Sequence, residues 1–410
     1  MAKIYPFQPY RYTEKAGALT NVATQPYDKI SPEMQRRYLA LSPYNLVRII
    51  LGERRPPDDA TENVYTRAAG FLNEWIAGGI LERDREPGVF PYFQEFTVPD
   101  TGERLVRKGF IALGAVEDYS QGIVHRHEQT LSGPKKDRLE LLRHTHAHFG
   151  QIFMLYPDPQ AVIDGILDEA AGSAPIAEVT DEYGVIHRVW KIADSARIER
   201  LMADKKLLIA DGHHRYETAL AFRNENPALP GADRVMMTFV NMHSPGLRIL
   251  ATHRLVSGIP AAGFPEEFLR SSAGDFKVAE IASTGRLVEL WKECPDRTII
   301  GAAIGDRLFS MEERDARDAL DVRILHERIL AKVLGIGEDA VRDEKHLRYM
   351  RGMEAAIAEV RAGKAQIAFL LKPTRIQQVS ATSFGGGVMP QKSTDFYPKV
   401  LSGLAIYKLG

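Results

Sequence analysis

The chain has 410 residues, 44% of them hydrophobic and 26% charged, so it is long for one core and is expected to divide into two to four units of roughly 100–200 residues. Its formal net charge of −1 excludes a global field that would draw in nucleic acid or an anionic membrane, and its single cysteine, Cys294, excludes an intrachain disulfide framework or a cysteine metal cluster. The opening MAKIYPFQPYRYTEKAG holds no apolar core of signal-peptide length, and no run of about 18 apolar residues occurs, so the sequence reads as cytoplasmic with no membrane span.

A Pro- and Tyr-rich extended stretch covers Tyr5 to Tyr12, and Ser31 followed by Pro32 predicts a helix start, with Ser31 as the N-cap. Ser42 to Leu51 mixes turn residues with a β-branched apolar run and reads as a buried strand. Val64, Ala68, Phe71, Leu72, Trp75 and Ile76 recur at helical spacing over residues 61–78. Alternation over Gly88–Val98 and Leu105–Leu113, around Pro99 to Glu103, predicts two strands and a turn. A helix is expected over Lys135–His148, a strand over Gln151–Tyr156, and helices near 160–170 and 194–204. The strand Lys206–Ala210 then runs into Asp211 to Arg215 and a helix over Tyr216–Asn224, with strands at Val235–Met242 and Arg248–Leu255 beyond. Further on, Phe264–Ser271, Ala282–Glu293, Leu320–Leu334 and Met353–Ala362 read as helices, and Arg297–Ile304 with Arg307–Met311 as a hairpin. Ala365–Lys372 and Gln377–Ser380 read as strands of a sheet that ends in the loop 385–398. The whole is α/β of the α+β kind, divided into an N-terminal region 1–120, a phosphate-binding core 121–258 and a C-terminal region 259–410.

Ten of the twelve histidines lie between His125 and His253, which puts the chemistry in the middle of the chain. In Asp211-Gly-His-His-Arg215 a strand ends and a helix begins, and Gly212 supplies the freedom for a tight turn. Unpaired amides and the positive end of a helix converge at such a corner, and Arg215 adds a fork for phosphate oxygens. The competing reading is a plain helix cap by Asp211 with solvated His213 and His214. Glu128, beside His127 and several cations including Lys135, is a candidate proton acceptor for a hydroxyl; a solvated charged loop fits the same residues. His144, His146 and His148 invite zinc only weakly, since no H-E-x-x-H is present. Lys392, Ser393, Thr394 and Lys399 on the Gly-rich loop from Gly385 are donors suited to a second phosphate or a carboxylate, as are His253 and Arg254 at a strand end. A surface loop accounts for the former equally well.

Several of these segments together resemble a widespread prokaryotic family known as domain of unknown function 1015. They are Pro26-Tyr-Asp28, Ser42 to Asn45, His127-Glu128 with Pro134-Lys135 and Asp137-Arg138, Asp211 to Tyr216, Pro245-Gly246 with Thr252 to Arg254, and Met389 to Lys399. The order of a His-Glu pair, a helix, a strand and then strand, Asp-Gly-His-His-Arg and helix is also similar to the superfamily of ParB-like partition proteins, sulfiredoxin and free serine kinases. That resemblance implies a central ParB/sulfiredoxin-like mixed α/β domain, with Gly212, His213, His214 and Arg215 around nucleotide phosphates and Glu128 as base. The sulfiredoxin cysteine and the partition proteins' Gly-Glu-Arg-Arg are absent, which argues against thiol chemistry and DNA partition.

The expected activity is phosphoryl transfer from a nucleotide or pyrophosphate to a small hydroxyl acceptor, with free L-serine first. Glu128, His127 and Asp211 are the expected catalytic residues, and Asp211 the expected magnesium ligand. Phosphate or nucleotide hydrolysis at the same site, and a non-catalytic nucleotide sensor, are the alternatives, with a zinc hydrolase behind them. Small molecules are the expected partners, with a homo-oligomer open and nucleic acid and membrane excluded.

Overall fold

The computed structural model describes residues 2–128, 132–260, 264–317 and 320–410. The chain is mixed α/β and forms two compact units, Met1–Arg248 with Pro398–Gly410, and Ile249–Tyr397. The boundary expected near residue 120 falls inside a sheet. Arg104–Ala115, from the expected N-terminal region, pairs antiparallel along its length with Arg234–Asn241, so those two regions share one core. The segment from Pro398 returns to the first unit.

The first unit is built on a nine-stranded sheet. Its order is Val124–His125, Leu207–Asp211, Ile152–Tyr156, Arg234–Asn241, Arg104–Ala115, Phe90–Thr97, Ile186–Val189 and Ala177–Thr180, with Ile4–Tyr5 pairing against Arg104–Ala115. One face carries Ile152, Met154, Tyr156, Ile209, Phe110 and Phe239, and packs with Ile163 and Leu167, Ile198 and Met202, and Tyr216 and Ala219 from three helices. These helices span Val162–Ala171, Ala196–Met202 and His213–Glu225. A second core joins the helix Val64–Ala77, through Ala68, Leu72 and Trp75, to Leu141 of the helix Ser132–Thr145 and to Phe149.

The second unit is a six-stranded sheet, all antiparallel, in the order Phe276–Ile281, Arg307–Arg317, Arg297–Ile304, Ile367–Leu370, His253–Val256, Leu347–Met350. Two apolar clusters cover it, one with Phe268, Leu325, Ile329 and Val341, the other with Leu287, Ala356, Ile357 and Val360.

The expected helix start at Ser31 forms, with its hydroxyl accepting the Met34 N–H at 3.1 Å. Several elements differ from expectation. Ser42–Leu51 is not a strand: Asn45, fully buried, accepts the Val47 N–H at 3.0 Å and donates to the Asn21 carbonyl at 2.8 Å, which starts the short helix Val47–Ile50. A short apolar run does not by itself separate helix from strand. The helix expected to reach His148 ends at Thr145, because His146 turns to φ 48° and Ala147–His148 pairs with Tyr407–Lys408. Gln377–Ser380 lies within a helix, Ile376–Phe384, with Val379 and Ser383 inward. Leu320–Leu334 forms a helix over Asp321–Ile324 that widens to π geometry over Leu325–Ala331.

Candidate functional site

The strand Leu207–Asp211 is buried between Val124–His125, parallel, and Ile152–Tyr156, antiparallel. Its register slips at Ala210, so that Ile209 lies opposite Met154 but Asp211 opposite Phe153. Successive strand residues alternate faces, and the extra residue of a bulge reverses that alternation. Asp211 therefore leaves the helix-packed face of Ile209 and joins the face of Phe153.

The C-terminal segment is fastened to unit-one residues by its main chain. Arg107, 1% exposed and stacked on Phe153, donates to the Pro398 carbonyl at 2.6 Å. Gln94 donates to the Lys399 carbonyl at 2.8 Å, and Gln151 to that of Leu401 at 3.1 Å. Lys399 is thereby placed with its ammonium 3.2 Å from Asp211 Oδ1, while Arg215, one helical turn on, donates to Oδ2 at 2.6 Å. Arg215 also donates to the Gln151 carbonyl. Burial opposes ionisation of Asp211, but Lys399 and Arg215, with Lys29 adding to the field, hold its carboxyl far below the usual range. Two cations around one anion leave the corner net positive.

Gly212, at φ 96°, turns the chain into the helix His213–Glu225. The helix thus begins three residues earlier than expected from Tyr216. Its first bond runs from the Tyr216 N–H to the Gly212 carbonyl at 3.0 Å, so the amides of His213, His214 and Arg215 precede the ladder. His213 is 8% exposed, and its buried Nε2 has no hydrogen-bond partner among the described residues. Its ring packs edge-on against His127, centroids 4.7 Å apart. His127 is fully buried and donates from Nδ1 to the Ile209 carbonyl at 2.8 Å, which leaves Nε2 as its acceptor, 3.9 Å from Glu128 Oε1. Burial lowers the His127 pKa, and burial with the neighbouring His127 lowers that of His213 further, so both rings are neutral near pH 7. Glu128 is half-buried, its side chain 23% exposed. It stands at the same corner, joined to the turn through His127. The next two residues of the expected loop, Gln129 and Thr130, lie outside the described residues.

Beside Arg215 an open recess is lined by Tyr27, Arg138, His148, Gly150, Thr218 and Ser402, among others. Arg138 stacks on Tyr27 at 4.1 Å. Tyr27, Lys29, Arg107 and Gln94 were given no role by sequence reasoning, although Pro26-Tyr-Asp28 and Asp137-Arg138 stood among the resembling segments. Arg107 and Gln94 carry no local motif.

The remaining expected residues are employed elsewhere. Lys135 lies 3.6 Å from Glu217 on the helix after the turn, sharing that carboxylate with Arg126 at 3.4 Å. In the second unit, His253 is buried and accepts the Leu371 N–H at 3.3 Å. Arg254, 1% exposed, donates to the Thr252 and Lys392 carbonyls. The Ser393 hydroxyl donates to the Pro390 carbonyl at 2.5 Å, Lys392 is exposed at φ 56°, and Thr394 is half-buried. Arg254 and Ser393, both buried, donate to carbonyls of this loop and help hold it together. Each oxygen of Asp211, the expected magnesium ligand, faces a cation. Among the described residues no three His, Cys, Asp or Glu side chains group as metal ligands. His144, His146 and His148 go to three different partners: His144 and His148 stack on Tyr65 and Tyr407, and His146 packs edge-on against Phe222. Among the described residues no helix is long and apolar enough to cross a membrane.

A family model described as "Protein of unknown function (DUF1015)" matches residues 4–329. Lys399 lies beyond that match. No curated protein matches in sequence. Solved structures of similar arrangement include a free serine kinase in complex with AMP, at 13% identity and TM-score 0.39, covering 70% of this chain and 88% of that one. A conserved hypothetical protein from Pyrococcus furiosus matches at 14% identity and TM-score 0.36, covering 67% and 87%. C-terminally truncated SbnI from Staphylococcus aureus matches at 11% and 0.35, covering 71% and 85%.

Proposed function

The chain belongs to the DUF1015 family, and from the geometry of its own first unit we propose that it moves a phosphoryl group from a nucleotide or pyrophosphate to a small hydroxyl acceptor, free L-serine first among them. One observation carries the reading. In a single compact unit, three amides ahead of a helix ladder, a largely buried cation pair around Asp211, an imidazole nitrogen on His213 with no hydrogen-bond partner among the described residues and a half-buried carboxylate, Glu128, meet at one corner.

In the proposed step the acceptor oxygen attacks phosphorus and its proton passes to the Glu128 carboxylate. The bond from phosphorus to the leaving phosphate oxygen breaks, and the electron pair departs with the donor. The turn amides and His213, as a neutral donor through Nε2, face the charge that gathers on the transferring group. Asp211 and His127 are positioning residues here: Asp211 fixes Arg215 and Lys399, and His127 ties the segment before Glu128 to the Ile209 carbonyl.

Purified protein incubated with L-serine and ATP, ADP or pyrophosphate, with and without magnesium, is expected to yield phosphoserine by mass spectrometry. Glu128→Gln is expected to slow that turnover by about 10²–10⁴-fold, with unchanged melting. Phosphoserine absent with every donor, in both directions, removes L-serine as acceptor. Phosphate released without an acceptor assigns the site to hydrolysis instead, and tight nucleotide binding without turnover assigns it to sensing.

A further inference from the structure

Pro398 to Leu401 runs along the first unit outside any strand, and side chains meet its main chain where a ladder would ordinarily supply backbone partners. Arg107, Gln94 and Gln151 hold its carbonyls. One further bond runs the other way and rests on a chain of buried groups. The Leu401 N–H donates to the Tyr92 hydroxyl at 3.2 Å, and that hydroxyl lies 2.7 Å from His187 Nδ1. His187 Nε2 in turn lies 3.2 Å from Asp181 Oδ2. Tyr92 and His187 are buried, and so is the Asp181 side chain. Asp181 opens the turn between the strands Ala177–Thr180 and Ile186–Val189, and His187 sits opposite Gln94 on the strand beside Tyr92.

The direction of every bond in this chain is fixed from its far end. Asp181 Oδ1 accepts the Tyr183 and Val185 N–H groups, each at 2.9 Å, and Oδ2 accepts Gln25 at 3.0 Å besides His187. Burial opposes its ionisation, but His187 and the two amides hold the carboxyl below its ordinary range. An ionised carboxylate only accepts, so His187 donates from Nε2; burial lowers its pKa, and the neutral ring accepts at Nδ1. Nδ1 takes the Tyr92 O–H, which leaves the Tyr92 oxygen to accept from Leu401. A buried network satisfied at every member rigidifies what it holds, and what this one holds is an amide two residues from Lys399. We propose that Tyr92, aligned by His187 and Asp181, is a positioning residue for Lys399: by seating Leu401 it keeps the Lys399 ammonium against Asp211. Its consequence for the phosphate donor rests on the reading of that corner given above.

Tyr92→Phe keeps the ring and removes the hydroxyl. Acetic anhydride labelling with peptide mass spectrometry reads Lys399 directly, since its side chain is 9% exposed; Lys364, 64% exposed, is the internal standard. In the variant, Lys399 is expected to label at least about threefold faster. Pyrophosphate affinity, measured by calorimetry on the full chain, is expected to fall at least about fivefold, and by less than about twofold when the same change is made in Lys399→Met, because groups acting through one another are not additive. In turnover, KM for the donor is expected to rise while kcat stays within about twofold, whereas a merely structural loss lowers the folded fraction, and with it kcat, at unchanged KM. Ile163→Val, a core change elsewhere in the first unit, is the destabilised control and is expected to alter neither Lys399 labelling nor KM. Unchanged Lys399 labelling in Tyr92→Phe overturns the proposal, as does an equal loss of affinity with Lys399→Met in place. Native protein that binds neither pyrophosphate nor ATP removes the assignment of the corner instead, and the labelling of Lys399 then upholds or overturns the positioning by itself.

Discussion

Asp211 and Asp321, one in each unit, have side chains only 15% and 10% exposed, and their surroundings drive them in opposite directions. Asp211 has a cation at hydrogen-bond distance on each oxygen and stays ionised at any moderate pH. Asp321 has its nearest ammonium at 3.8 Å, already committed to two carbonyls, and is pushed up to about 6. Burial alone does not set the state of a carboxyl. The placement of the counter-charge does, and here that placement is set by main chain: Arg107 and Gln94 bring Lys399 to Asp211, whereas the Pro295 and Arg297 carbonyls keep Lys372 from Asp321. At Asp211 the cations outweigh burial, and at Asp321 burial outweighs Lys372, Thr298 and Arg375.

The same substitution at the two positions tests this most sharply. Asp211→Asn strands Arg215 and Lys399 against each other, and breaking a buried charge network from one side costs about 3–5 kcal/mol. Asp321→Asn removes a carboxylate whose burial outweighs its interactions with Lys372, Thr298 and Arg375, and is expected to stabilise the second unit by about 1–3 kcal/mol at pH 7. The chain has three tryptophans, and urea unfolding separates the units by them: Trp75 and Trp190 report the first, Trp291 the second. Equal losses at both positions would erase the distinction.

Varying pH sharpens it further. Folding raises the Asp321 pKa from 3.8 to about 6, so the unfolded chain ionises first as pH rises, and stability falls between about pH 4 and 6 and then levels. At ~1.4 kcal/mol per pH unit the loss reaches at most about 3 kcal/mol. The advantage of Asp321→Asn over the native chain should therefore be absent below about pH 4 and complete above about pH 6. His253, lowered to about 4, and His326, lowered to about 3, act oppositely: they stay neutral in the fold, so stability falls as pH drops below 6.5. Both are present in each protein and cancel in the difference. Lys372, Arg375, Arg297 and Asp296 line the same recess as Asp321 and are likewise common to both. For Asp211 the sign is reversed, since its stabilisation is present above about pH 4 and is lost on acidification.

What the sequence disclosed follows from how local each feature is. Strand, glycine turn and helix around Asp211 could be read because their signals lie within a few residues of each other. The His127–Glu128 pair was legible as chemistry but not as a neighbour of the turn, since its bond to Ile209 crosses 82 residues. Lys399 was singled out for its Gly-rich loop, yet its partner lies 188 residues away, and only Arg107 and Gln94, which carry no motif, decide that it reaches Asp211. The bulge at Ala210 that turns Asp211 toward it leaves no trace in composition. Asp321 gave no signal at all: a helix-initial aspartate looks the same in a sequence whether or not its counter-ion is occupied. Asn45 misled for a related reason, since a buried cap reads as a turn residue before an apolar run.

The smallest effect discriminates between backbone and charge as the origin of the Asp211 geometry. Gly212 holds φ 96°, and a Cβ there would lie 3.0 Å from the Arg215 guanidinium. Gly150 carries no such positive φ, and a Cβ would meet the same side chain at 3.4 Å, ordinary contact. Gly212→Ala is expected to cost about 1–2 kcal/mol of first-unit stability from backbone conformation alone, and to push Arg215 off Asp211. Gly150→Ala should change it by less than about 0.5 kcal/mol. Denaturation followed through Trp75 and Trp190 in a Trp291→Phe background measures both. If the two alanines cost the same, the turn is held by Arg215 and Lys399 rather than by the freedom of its glycine. In that case Gly212→Ala combined with Asp211→Asn would cost less than the sum of the two single changes.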